Sequence, residues 1–223
     1  MKSEHQWPPA WFDPERTALV TPTNVRSLAH PIRMTLLRLL REDGPSTATA
    51  LGARIGHSSG VTSYHLRMLA EAGFINEDRE RGTGRERWWR AEHETQTFTF
   101  RAPGAAGDAE QIEVAEQYLR MAAQATFERV LAYVDTLSSR REELSELPWQ
   151  LGEFSLSLTR QETRELTARL QEVVAPYRRD QSGLARGRGG PDGDSGATSN
   201  RERAVFQFQL VPDQHLGARA HQP

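Results

Sequence analysis

Apolar residues recur with a helical period over the first half of the chain. Ile32, Leu36, Leu39 and Leu40 fall on one helix face behind Pro31, and Gly44-Pro45 stops the pattern. Ser46 or Thr47 caps a further helix, in which Ala48, Leu51 and Ile55 share a face and Gly56 is the left-handed terminator. A short turn over His57 to Ser59 leads into another helix that ends at Gly73. A preceding helix is predicted over 22–29, with Pro22 in its first turn, which makes the helix ending at Gly73 the fourth. After Gly73 the pattern becomes extended. Phe74-Ile75 and Trp88-Trp89 flank a charged, Gly-containing tip, EDRERGTGRER, and predict a hairpin.

The fourth helix has two unlike faces. Thr62, Leu66 and Leu69 form the one expected to pack inward. Gly60, Ser63, Tyr64 and Arg67 form the other, and it carries no Asp or Glu. A face meeting phosphates must lack carboxylates, because they would be repelled. Two helices joined by a tight turn, followed by a basic hairpin, make a winged helix-turn-helix.

The stretches LAHPIRMTLLRLL, ALGARIGHSSGVTSYHLRMLAEAGFI and RERGTGRERWWRA carry a resemblance. They are similar to the DNA-binding domain of ArsR-type winged-helix transcriptional regulators. The resemblance covers about 70 residues, and SYHLRMLAEAGFI and LAHPIR are its most specific parts. It implies a homodimeric binder of double-stranded DNA, commonly a repressor. It places Ser63, Tyr64 and His65 at recognition-helix positions before Leu66-Arg67, and matches Arg33 to an arginine early in the family's second helix. The candidate DNA contacts are Ser59, Gly60, Ser63, Tyr64, His65 and Arg67, with Arg81, Arg85 and Arg87 on the wing.

Beyond a small-residue linker at 101–108, a helical pattern runs from 109 to 146. Ile112, Ala115, Leu119 and Ala122, then Phe127, Val130, Leu131, Val134 and Leu137, form a stripe that needs a partner. A second copy of the chain is the expected one, and packing within the chain is the alternative. Phe154, Leu156 and Leu158 alternate with serines as a strand, and Thr159 to Glu162 is a capping box for a further helix. Phe206, Phe208 and Leu210 alternate as a last strand, after a Gly/Ser/Arg-rich loop at 180–203. The expected fold class is mainly α with a small β component (α+β). A flexible arm spans 1–20 and a winged helix-turn-helix domain 21–100. A module of long helix and β-α-β unit spans 109–212. It dimerises, and with Trp149, Phe154, Tyr177, Phe206 and Phe208 it could also hold an unknown small-molecule effector.

Charge sharpens the division. Residues 21–91 carry 11 arginines against 7 carboxylates, whereas 105–180 carry 9 against 14. The overall charge of −2 conceals a basic module joined to an acidic one. Lys2 is the only lysine, and arginine's planar fork suits phosphate and guanine. There is no cysteine, which removes thiol nucleophiles and cysteine-based metal sensing. The seven histidines make no HxH, HxxxH or HExxH spacing, so neither a metal site nor a cofactor is expected. No Gly-rich phosphate loop or Ser/His/Asp motif points to an enzyme. No apolar run approaches the roughly 18 residues of a membrane span, and the start of the chain lacks a secretory pattern. A cytoplasmic regulator is expected. The rival readings are a winged helix that binds protein instead of DNA, and a regulator gated by a ligand in the C-terminal module.

Overall fold

The computed structural model describes residues 12–81, 86–100, 102, 104, 106–143, 151–177 and 205–210. The chain divides into two units, 1–190 and 191–223.

In the first unit, β1 (Thr17–Val20) precedes a 3-10 turn at Val25–Ser27. The turn stands where a helix over 22–29 was predicted. Helix α1 (Pro31–Asp43) starts on His30, whose Nδ1 accepts the Ile32 amide at 3.2 Å. It buries Leu36, Leu37, Leu39 and Leu40. Strand β2 (Ser46–Thr47) leads into α2 (Ala48–Ile55), capped by the Thr47 hydroxyl at 3.2 Å from the Ala50 amide. Gly56 closes α2 at φ 71°, in the left-handed region where a side chain is disfavoured. Helix α3 (Ser59–Glu71) follows, then β3 (Ile75–Glu77) and β4 (Trp88–Ala91).

Strands β2, β4 and β3 form one antiparallel sheet in that spatial order, with Ile75 opposite Ala91 and Ser46 opposite Trp89. A second sheet pairs β1 in parallel with β5 (Thr95–Phe98), Thr17 opposite Thr95 and Val20 opposite Phe98. Parallel neighbours need a long crossover. Here the crossover is the whole winged helix, and the Arg16–Glu94 ion pair at 2.6 Å stands beside the start of the clasp. The last four residues of the stretch read as an arm are thus structural. Neither β1 nor β5 was foreseen.

Val20, Val25, Leu28, Leu36, Leu51, Leu66, Leu69 and Ile75 are fully buried and form one core. Each contributes roughly 1.5–3 kcal/mol relative to exposure. Helix α4 (Ala109–Val134) begins with an Asp108–Gln111 capping box. Its first half enters the same core through Ala115 and Tyr118. The predicted stripe therefore splits into two faces. Ala115, Tyr118 and Ala122 turn to the winged helix, while Phe127, Leu131 and Val134 lie exposed on the other side. The helix ends at Val134, and a 3-10 segment covers Leu137–Glu143.

The capping box at Thr159 and Glu162 is present and starts α5 (Arg160–Val174). The strands predicted on either side are not seen: among the described residues, no ladder includes 151–159 or 205–210. Alternation alone cannot hold a strand without a paired neighbour. Phe154 is 83% exposed, and Tyr177, Phe206 and Phe208 are exposed too. Trp149 lies outside the described residues, as does the 180–203 loop.

Candidate nucleic-acid interface

Helix α3 is held from below and open above. Thr62, Leu66 and Leu69 are completely buried. Ser58 caps the helix, its hydroxyl accepting the Val61 amide at 3.3 Å. Gly52 of α2 allows the close approach. A Cβ there would sit 2.7 Å from the His57 carbonyl oxygen and 2.9 Å from Thr62 Oγ1.

Ser59, Gly60 and Arg67 are exposed, Tyr64 is 53% exposed, and Ser63 is half-buried. These five residues share the outer surface of α3, and no carboxylate stands in its first turn. Arg67 Nε donates to the Ser63 carbonyl at 3.2 Å, which lays the side chain along the helix with the rest of the guanidinium outward. Gly60 has open space where a Cβ would be, with only Ser58 Oγ at 4.0 Å.

His65 departs from this surface. It is 7% exposed, and its ring lies 4.4 Å from His30 and 5.2 Å edge-on from Tyr64. It fixes α3 to the start of α1 and supports Tyr64 from beneath. Burial lowers its pKa, with further lowering from His30, Arg33 and His57. Burial, then Arg33, lowers that of His30. Arg33 donates to the Arg26 carbonyl at 2.9 Å, so it ties α1 to the preceding turn.

The wing stands on β3 and β4. Arg81 lies 3.5 Å from Asp78 and 5.9 Å from the centre of the Trp88 ring. Arg87 lies 3.9 Å from Glu77. Both arginines are exposed, at spacings that leave them able to exchange partners. Arg85 lies outside the described residues, with the rest of the tip at 82–85.

Residues 28–78 match a family model described as a helix-turn-helix domain. This stretch is a helix-turn-helix domain. It runs from Leu28, through α1, α2 and α3, to the end of β3. Such domains are a DNA-binding design in which the second helix of the motif, here α3, enters the major groove. The match falls on the segment in which the ArsR-type resemblance lies. Among the solved structures, one described as disulfide-formed AbfR is similar at 15% identity and a TM-score of 0.28, over 56% of this chain and 80% of that one. A likeness of that size says nothing of function. No curated protein matches the chain.

Sequence reasoning passed over Gly52, whose signal was a glycine inside a helical pattern. It also passed over the polar contacts behind the helix-turn-helix domain. Burial holds the Arg41 guanidinium down to about 10. It donates to the His93 carbonyl at 2.9 Å and to Gln96 Oε1 at 2.7 Å. Among the described residues no group of three or more His, Asp or Glu could hold a metal ion. No helix among them is long and apolar enough to cross a membrane.

Proposed function

We propose that the chain is a sequence-specific transcription regulator of ArsR type, binding double-stranded DNA as a homodimer on an imperfect palindrome. The observation that carries this reading is the outer face of α3 from Ser59 to Arg67: exposed or half-exposed and free of carboxylates, with the helix's one carboxylate, Glu71, only in its last turn. Tyr64 and Ser63 take base edges or the phosphates beside them. Gly60 admits close backbone approach, and Arg67 takes a guanine edge or a phosphate. Arg81, Arg85 and Arg87 act through phosphates along the wing. His65 serves by positioning Tyr64. The exposed apolar residues of α4 support the homodimer. The chain works in the cytoplasm without a metal, and repression is the sign of regulation that the ArsR resemblance implies.

The test is selection of genomic fragments by the purified protein at near-physiological salt, followed by sequencing. Enrichment of fragments that share a palindrome is the expected result. Featureless enrichment, with retained proteins in a pull-down that depends on Tyr64 and Arg67, would replace DNA by a protein partner.

A further inference from the structure

A cleft of about 570 Å³ opens between α1 and the end of α2. Leu39 is buried and Ile32 and Ile55 are half-buried, so these three form its floor. Arg38, Arg54 and His57 are exposed and form its rim. Among the described residues, no carboxylate lines it. An apolar floor with a few converging polar groups, in a space of this size, is the make-up of a small-molecule site.

We propose that this cleft binds a small amphipathic carboxylate: a hydrocarbon body that carries one acid group. The body covers Ile32, Leu39 and Ile55. The carboxylate accepts hydrogen bonds from Arg38 on α1 and Arg54 on α2. Charge selects an anion, because two guanidinium groups and an imidazole meet no carboxylate within the cleft. The floor selects a body. A bare phosphate or chloride gains nothing from apolar surface, whereas a hydrocarbon does. The arginines are available as well. Arg38 holds Glu42 at 2.8 Å and Arg54 holds Asp43 at 2.9 Å, and both pairs are open to solvent. Exposed pairs of this kind contribute little, so little is lost when the ligand's acid group takes their place.

The place of the cleft has a consequence for DNA. His57 immediately precedes Ser58, the cap of α3, and Gly52 lies against its carbonyl. A bound anion therefore sits beside the start of the helix that meets DNA and occupies cations there. DNA phosphates are repelled by the added negative charge. The bound acid lowers DNA affinity. That consequence, unlike the binding itself, rests on the regulator reading above.

The test titrates naphthoate and decanoate into the full chain by calorimetry at near-physiological salt. Acetate keeps only the charge and naphthol only the body, so these two are the controls. The expected result is that at least one of the two acids binds, about tenfold or more tighter than either control. Arg38→Ala with Arg54→Ala should weaken that binding by about tenfold or more. Thr35 also lines the cleft and is half-buried. Thr35→Phe should fill the space and abolish binding with both arginines still in place, and melting curves check that each variant folds. No binding of either acid would overturn the proposal. So would naphthol binding as tightly as naphthoate, or binding that survives both variants. If neither acid binds and the double arginine variant loses DNA affinity with a smaller salt slope, the two arginines serve DNA phosphates instead. Gel shifts on the selected operator are read alongside. The acid should weaken operator binding by the unaltered chain and not by the double arginine variant. Binding of the acid with no effect on the operator would overturn the link to DNA. Binding of the acid by a chain that selects no DNA fragment leaves the cleft standing and removes the regulator.

Discussion

Gln96 on β5 donates a hydrogen bond to the hydroxyl of Tyr118 on α4, at 2.7 Å. The same Gln96 accepts from Arg41 on α1, so one side-chain amide joins three elements. Arg41 also reaches the Thr95 carbonyl at 3.3 Å. Farther along α4, Arg129 pairs with Glu42, which pairs in turn with Arg38 at 2.8 Å. Helix α4 is thus fixed to α1 by two polar connections as well as by packing. The start of α1 in turn touches α3 through His30 and His65.

Arg41→Ala strands the His93 carbonyl and the Gln96 amide oxygen in a nearly dry site. A hydrogen bond to a buried charged group is worth about 1.5–3 kcal/mol, and unsatisfied partners add to the loss. The expected destabilisation is about 2–4 kcal/mol by urea unfolding. Tyr118→Phe keeps the ring and removes only the hydroxyl, at about 1 kcal/mol. Equal losses for the two variants would mean that packing, not the polar connection, holds this corner.

Two glycines should respond in opposite ways. Gly52→Ala gains up to about 1 kcal/mol of helix propensity. Its Cβ, however, would press on a backbone carbonyl that cannot rotate away, and overpacking costs about 1–3 kcal/mol. The clash wins: stability falls, and DNA affinity falls with it as α3 is displaced. Gly60→Ala meets open space, so stability is unchanged or rises by up to about 1 kcal/mol. Its DNA affinity should nevertheless drop, because the space is needed by the nucleic acid. Unaltered affinity in Gly60→Ala would place the DNA elsewhere.

The helix-turn-helix was legible because short-range rules fix it. Thr47, Gly56 and Gly73 act within a turn of their own position, and Leu36, Thr62, Leu66 and Leu69 follow one helical period. The missed elements depend on partners distant in the chain. Strand β1 exists because β5, almost eighty residues later, offers it a ladder. The stripe of α4 looked continuous because a helical period does not reveal that two faces are used. The strands expected at 154–158 and 206–210 had alternation but no local rule that names a neighbour. At the candidate site, the family resemblance put His65 among the contacts. Only the packing of α1 against α3 shows that it points inward.

Arg67→Ala separates two modes of recognition. If the guanidinium takes a guanine edge, the loss is about 1–3 kcal/mol and specificity relaxes at one operator position. If it takes a phosphate, all sequences weaken alike and the salt slope falls by about one unit. The second behaviour is expected of Arg81→Ala and Arg87→Ala. A slope unchanged in both wing variants would take the wing out of the interface.

Acid should loosen the joint between α1 and α3. His30 and His65 stack in a site where Arg33 stands on α1, His57 on the preceding turn and Tyr64 on α3, and no carboxylate is among the groups that shift them. Burial first, then Arg33, holds the pKa of His30 below the ordinary 6.5, and burial, then His30, Arg33 and His57, does the same for His65. The folded protein therefore binds fewer protons than the unfolded chain as pH falls below 6.5. Unfolding takes up protons in that window, so stability declines with falling pH and levels off below the folded pKa values. Melting temperature measured from pH 7.5 to 5.5 should fall, and His65→Gln, which cannot titrate, should flatten the decline. The variant is needed because carboxylates elsewhere also lose stabilising partners in acid. A decline equally steep in His65→Gln would show that the histidine pair does not set the acid response.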